Sequence, residues 1–148
     1  MDNIIKFTIY AEPKTQKGVR SSIIRSKKTG RQFILHYPDK DTEAYKERIT
    51  PQLLQHQQIP LLECPVRLRV SFYLPIPKSM TKSLRQQAEA EELYKAKKPD
   101  LSNLEKVLED TLTGIIWKDD ALIVSKFSNK FYSKNPRTDI EITPCPLI

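Results

Sequence analysis

The residue types with the most chemical content fall between positions 99 and 120. Pro99-Asp100-Leu101-Ser102-Asn103-Leu104-Glu105-Lys106 is followed by Asp110, Gly114 and then Trp117-Lys118-Asp119-Asp120. Carboxylates therefore stand at both ends of a short helical segment, with a lysine between them, in a chain that is otherwise strongly basic. Such a set suits a divalent cation held against nucleic-acid phosphate. Mg²⁺ keeps several waters and binds through few protein oxygens plus substrate phosphate. Held there, it polarises a phosphodiester oxygen, lowers the pKa of the attacking water and steadies the leaving oxygen. A lysine nearby neutralises charge that develops on the phosphoryl oxygens.

On a helix, Asn103, Lys106 and Asp110 recur at spacings of three and four and share a face beside the leucine stripe. Asp100 sits just before the first turn, where free backbone N–H groups and the helix dipole favour anions. Asp119-Asp120 is expected at the start of the following strand. Only folding brings Asp100 to Asp120, and a helix of about three turns followed by a returning strand is the expected means. Each piece also has an ordinary structural role. Ser102 with Glu105 has the spacing of a capping box, Lys106 with Asp110 that of an i,i+4 ion pair, Asp119-Asp120 suits a turn, and Trp117 suits the core.

The elements that must position these residues read as follows. Residues 3–10 alternate as a strand, with Ile5, Phe7 and Ile9 on one side. Residues 21–26 and 31–37 form a hairpin across Lys27-Lys28-Thr29-Gly30. A helix opens at Asp41-Thr42-Glu43, with Tyr45, Ile49, Leu53 and Leu54 as its buried stripe and Pro51 kinking or shortening it. Residues 64–74 give the clearest period of two, Val66, Leu68, Val70 and Phe72 against Arg67, Arg69 and Ser71. A polar helix is expected over 79–94 and an extended approach over 95–99. The helix over 102–113 buries Leu104, Val107, Leu108, Thr111 and Leu112 and stops at Gly114. Residues 115–117, 122–132 and 138–143 complete the strands. Without regular strand–helix alternation, the pattern predicts an α+β domain in two layers, a mixed sheet against helices.

Bulk properties bound the function. The 148 residues fit one domain, and 39% hydrophobic with 29% charged residues is a globular composition. The N-terminus lacks the layout of a secretory signal and no apolar run spans a membrane, so a cytoplasmic protein with no membrane partner is expected. Cys64 and Cys145 are isolated and predict reduced thiols. The formal charge of +7 favours an anionic partner. The most lopsided segment lies between Pro13 and Pro38, where Lys14, Lys17, Arg20, Arg25, Lys27, Lys28 and Arg31 stand without an acid. These are the first candidates for a DNA-binding face, with Lys126, Lys130, Lys134 and Arg137 second.

The order Pro99-Asp100-x-x-Asn103-Leu104-x-Lys106, then Asp110, Leu112, Gly114 and Trp117-x-Asp119-Asp120, resembles the RusA family of Holliday-junction resolvases. Phe72-x-Leu74-Pro75-x-Pro77-Lys78-Ser79 and Pro136-Arg137-x-Asp139-Ile140-Glu141-Ile142 are similar to its phage and prophage members. The resemblance implies one RusA-like domain over 1–148 and a homodimeric crossover junction endodeoxyribonuclease. Such an enzyme acts in recombination and repair, needs Mg²⁺ with Mn²⁺ as a substitute, and makes paired nicks in four-way DNA junctions; no small-molecule substrate is implied. It implies Asp100, Lys106 and Asp120 as catalytic residues, Asp100 and Asp120 with Asp119 as metal ligands, and Ser102, Asn103 and Asp110 in support. One departure matters: Ser102 stands where the family usually carries a metal-binding aspartate. A second is Leu122, where a glutamine is frequent. The alternative reading is accordingly a junction-binding protein that no longer cuts. A third is a small basic RNA-associated protein in which the acids are structural.

Overall fold

The computed structural model describes residues 3–15, 20–37 and 39–146; Lys17 lies outside these, and the side chain of Arg20 is not described. Strands β1 (Ile5–Ile9), β4 (Val66–Pro75), β5 (Ile123–Ser133) and β6 (Arg137–Pro144) form one sheet in the order β1-β6-β4-β5. β6 runs antiparallel to both β1 and β4, while β4 and β5 are parallel. A parallel pair needs a crossover, and that crossover carries α2 (Lys82–Glu89) and α3 (Leu101–Leu112). Strands β2 (Arg20–Arg25) and β3 (Gln32–Tyr37) form a separate two-stranded antiparallel sheet, and α1 (Lys40–Leu54) follows it. The architecture is the expected α+β arrangement, a mixed sheet with helices packed against it.

Alternation along the strands sends Phe7, Ile9, Val66, Leu68, Val70, Phe72, Ile140 and Ile142 to one face. There they meet Tyr45, Ile49 and Leu53 of α1 and Leu104, Val107, Leu108 and Leu112 of α3. Trp117 is fully buried in the same core, with its indole N–H donating to Thr113 Oγ1 at 3.0 Å. Emptying such a site, as in Leu108→Ala, costs about 2–5 kcal/mol.

Several elements depart from the sequence reading. α1 runs through Pro51 to Leu54, because the buried anchors Ile49 and Leu53 lie on both sides of the proline; Leu54 itself is exposed. α2 spans only Lys82–Glu89. It closes with Glu91 at φ +60, Glu91 N–H donating to Ala88 O and Glu92 N–H to Gln87 O, a bonding pattern that usually selects glycine. Residues beyond it turn outward and pair with β5 through Tyr94 and Phe131. Residues 115–117 form a tight turn instead of a strand: Gly114 at φ +88 reverses the chain and its N–H donates to Trp117 O at 2.8 Å. α3 begins at Leu101, with Asp100 as its N-cap, so the capping box expected of Ser102 and Glu105 does not form. Leu101 packs against the core and draws the first turn back by one residue.

Candidate active site

α3 is amphipathic in the expected sense. Leu104, Val107, Leu108 and Leu112 are buried, whereas Ser102, Asn103, Lys106 and Asp110 are exposed. With Asp100 at the cap, one exposed stripe runs Asp100, Asn103, Lys106, Asp110 up the helix. The Asp100 carboxylate makes no capping hydrogen bond. It accepts from Lys98 Nζ at 2.8 Å and from Asn103 Nδ2 at 3.5 Å, and stays half-exposed. Among the described residues no acid pairs with Lys106, so the expected ion pair with Asp110 is absent and the ammonium is free to meet a ligand.

At the far end, Asp119 caps a 3₁₀ turn at Asp120–Leu122, its Oδ1 accepting from Ala121 N–H at 2.9 Å. That backbone bond, and a hydrogen bond with Asp120, hold the Asp119 carboxyl below the usual range. The same shared hydrogen bond pushes Asp120 upward, and the negative charges of Asp119 and Asp110 add to the shift. The adjacent carboxylates thus act on each other, and the charge of a third, Asp110, reaches Asp120. A shallow cavity of about 300 Å³ opens there, lined by Glu109, Asp120, Ile123, Val124, Ser125 and Lys126.

Within one chain Asp100 and Asp120 do not meet. Gly114 turns the chain back at the C-terminal end of α3, so β5 starts beside Asp110 and runs down the helix toward its N-terminus. Lys126 reaches Glu105 at 2.6 Å and Glu109 at 2.9 Å. Further along β5, Lys130 arrives at the Asp100 end, its Nζ donating to Pro99 O at 2.8 Å and Lys97 O at 2.9 Å. The returning strand brings position 130, not position 120, to Asp100. About 15 Å of helical rise separates the two acidic ends. Among the described residues, no three Asp, Glu, His or Cys side chains stand close enough to hold one ion. The donor set is nevertheless of the right chemical kind for Mg²⁺: hard, exposed carboxylate oxygens, with Asp100 released from capping.

The cations divide into free and engaged. Arg25, Lys27, Lys28 and Arg31 are exposed at the hairpin tip, with no ion pair among the described residues, while Lys14 pairs loosely with Glu12 at 3.5 Å. The second group is largely internal: Lys126 lies between two glutamates, Lys134 sits 3.6 Å from Glu89, and Arg137 forks onto Glu91 at 2.6 and 3.2 Å. Sequence reasoning passed over Lys95, Lys97 and Lys98, which crowd around Pro99 with Lys130. Burial, then the charges of Lys130 and Lys97, depress the Lys95 ammonium below the usual lysine range. The signal was present in the run Lys95-Ala96-Lys97-Lys98 immediately before Pro99-Asp100.

Two comparisons with known proteins bear on this arrangement. Residues 12–143 match the family described as Endodeoxyribonuclease RusA. A Bacillus subtilis (strain 168) protein described as "Uncharacterized protein YqaN" is 35% identical over 141 residues, covering 93% of this chain and 94% of its own length.

Proposed function

Since this chain belongs to the RusA endodeoxyribonuclease family, we propose that it is a Mg²⁺-dependent homodimeric nuclease that resolves four-way DNA junctions by paired nicks, acting in cytoplasmic DNA recombination and repair. The observation that carries the reading is the exposed stripe on α3, with Asp100 at one end, Lys106 midway and Asp110 with Asp119-Asp120 at the other. One chain offers the two halves of a metal site apart. Two chains related by a two-fold axis, with their α3 helices antiparallel, bring the Asp100 end of each against the Asp120 end of its partner. Such a pair carries two equivalent sites, matching a substrate that is itself nearly two-fold.

In this arrangement Asp100 of one chain and Asp120 of the other hold the ion, with Asp119 and Asp110 adding negative charge beside it. Bound Mg²⁺ supplies Lewis acidity toward a phosphodiester oxygen and a water of lowered pKa. Lys106 offsets charge on the phosphoryl oxygens, and Asn103 holds the Asp100 carboxylate in position. Lys95, Lys97 and Lys98 draw the phosphate backbone toward Asp100, and the hairpin cations extend that attraction along the arms.

The test is a nicking assay on a synthetic four-way junction. Wild-type protein nicks with Mg²⁺ and stops with EDTA. Asp120→Asn binds the junction and leaves it intact, and an Asp120→Asn variant that cuts at the wild-type rate overturns the assignment. A second reading, a junction binder without cutting activity, is favoured by one observation: Ser102, two residues after Asp100, is exposed and neutral where the family resemblance implies a carboxylate. It predicts a gel shift independent of Mg²⁺ and no scission with any divalent ion.

A further inference from the structure

The hairpin of β2 and β3 belongs to neither the main sheet nor its core, and its extensive contacts are between its own two strands. Isolated two-stranded hairpins are marginal in water at best. Yet this one exposes apolar side chains on both faces. Ile23 and Ile34 form a directly opposed cross-strand pair at 73% and 60% exposure. Ile24 and Phe33 form the neighbouring pair on the other face, also exposed. Immediately beyond them the tip carries Arg25, Lys27, Lys28 and Arg31, with no acid anywhere between Pro13 and Pro38.

An exposed apolar pair beside an exposed cationic tip calls for an occupant that is anionic outside and apolar within. A second copy of the same arm does not qualify, because pairing two arms brings two sets of like charges together. DNA whose bases have come unstacked does qualify. Its phosphates take the guanidinium and ammonium groups, and its exposed base faces take the isoleucines. Aliphatic wedges inserted between base steps are an established way for basic proteins to open and kink a duplex.

We propose that the β2–β3 hairpin is a branch-point wedge: Arg25, Lys27, Lys28 and Arg31 grip phosphates flanking the crossover, and the Ile23–Ile34 pair packs against bases unstacked at the junction centre. This rests on the nuclease reading above and adds to it a source of preference for junctions over linear duplex. In linear duplex the bases are stacked and the wedge has nothing to enter. At a crossover the stack is already interrupted, so insertion there is far less costly.

The experiment compares wild-type protein, I23T/I34T and I23V/I34V without Mg²⁺. The DNAs are a four-way junction with 2-aminopurine at the branch point and a linear duplex of the same sequence. Threonine keeps the β-branched strand preference and removes the apolar surface, whereas valine keeps both. The hairpin lies outside the main core, so the thermal midpoint of all three proteins checks that the fold is intact. The expected result is a rise in 2-aminopurine fluorescence with wild type and I23V/I34V. With I23T/I34T that rise is lost, and the ratio of junction to duplex affinity falls by about tenfold. An unchanged ratio and an unchanged fluorescence rise in I23T/I34T overturn the wedge alone. A change from dimer to monomer in I23T/I34T by sedimentation also overturns it, assigning the pair to a subunit interface. Wild-type protein that binds no junction overturns the wedge and the nuclease reading together.

Discussion

Asp100 and Asp110 terminate a single exposed stripe on α3, about 15 Å apart along the helix, and face solvent on the same side. Asp119 and Asp120 join the Asp110 end, while Lys98, Asn103 and Lys130 surround the Asp100 end. On the proposed reading the helix is a spacer between two half-sites, and catalysis depends on how two chains meet.

Ser102 stands two residues after Asp100 in the first turn of α3, exposed and neutral. Restoring a carboxylate there adds a hard oxygen ligand without disturbing the core. Ser102→Asp is expected to lower the Mg²⁺ concentration needed for half-maximal nicking, by roughly tenfold for one added charged ligand. Titration of Mg²⁺ in the junction assay checks it. An unchanged Mg²⁺ requirement would place position 102 outside the metal's reach.

Lys126 is enclosed by Glu105 and Glu109, whose side chains are 13% and 15% exposed against its own 37%. Lys126→Met leaves two largely buried carboxylates one turn apart without their counter-charge. The expected loss is about 1–2 kcal/mol, toward the low end because the ammonium is partly solvated. In urea denaturation, adding Glu105→Gln and Glu109→Gln to that variant recovers part of the loss. A variant of normal stability with weaker junction binding would return Lys126 to the DNA-facing set.

The Glu91–Arg137 pair locks the end of α2 to β6, and Arg137 also lies 4.0 Å over the Tyr73 ring. Hydrogen bonds from Arg137 hold the Glu91 carboxyl below its ordinary value of 4.5. A depressed carboxyl pKa contributes stability that is present above the unfolded value and disappears as pH falls through the folded one. Wild-type protein should therefore exceed Glu91→Gln in stability near pH 7, with the difference shrinking below the ordinary carboxylate range and vanishing once Glu91 is protonated. Denaturation midpoints of the two proteins across pH 7 to about 3 measure this. A gap that stays constant across that range would show that the carboxylate charge contributes nothing.

The strands β1, β4 and β6 and the buried face of α3 were legible because alternation and helical spacing report directly which side chains leave water. Ile115-Ile116-Trp117 misled for the same reason. Three apolar residues in a row read as a strand, but Ile116 and Trp117 are buried from a turn that Gly114 makes possible. The extent of α2 was not legible because Glu91 takes the left-handed conformation usually left to glycine, stabilised by a partner at position 137. The order of the acidic residues nominates them as candidates. Their distance could not be read from that order, since it depends on where β5 enters the sheet, and only the parallel pairing with β4 fixes that. The lysines around Pro99 were visible as a run, but their convergence with Lys130 arises from the same strand placement.

The composite site is tested most directly by subunit complementation. Asp100→Asn and Asp120→Asn proteins, each inactive alone, are mixed under conditions that exchange subunits and assayed on a four-way junction with Mg²⁺. A mixed dimer carries one site with both substitutions and one with Asp100 and Asp120 intact. Nicking is expected to return, as single rather than paired nicks. A mixture as inactive as either variant, with subunit exchange verified, would contradict a metal site shared between two chains.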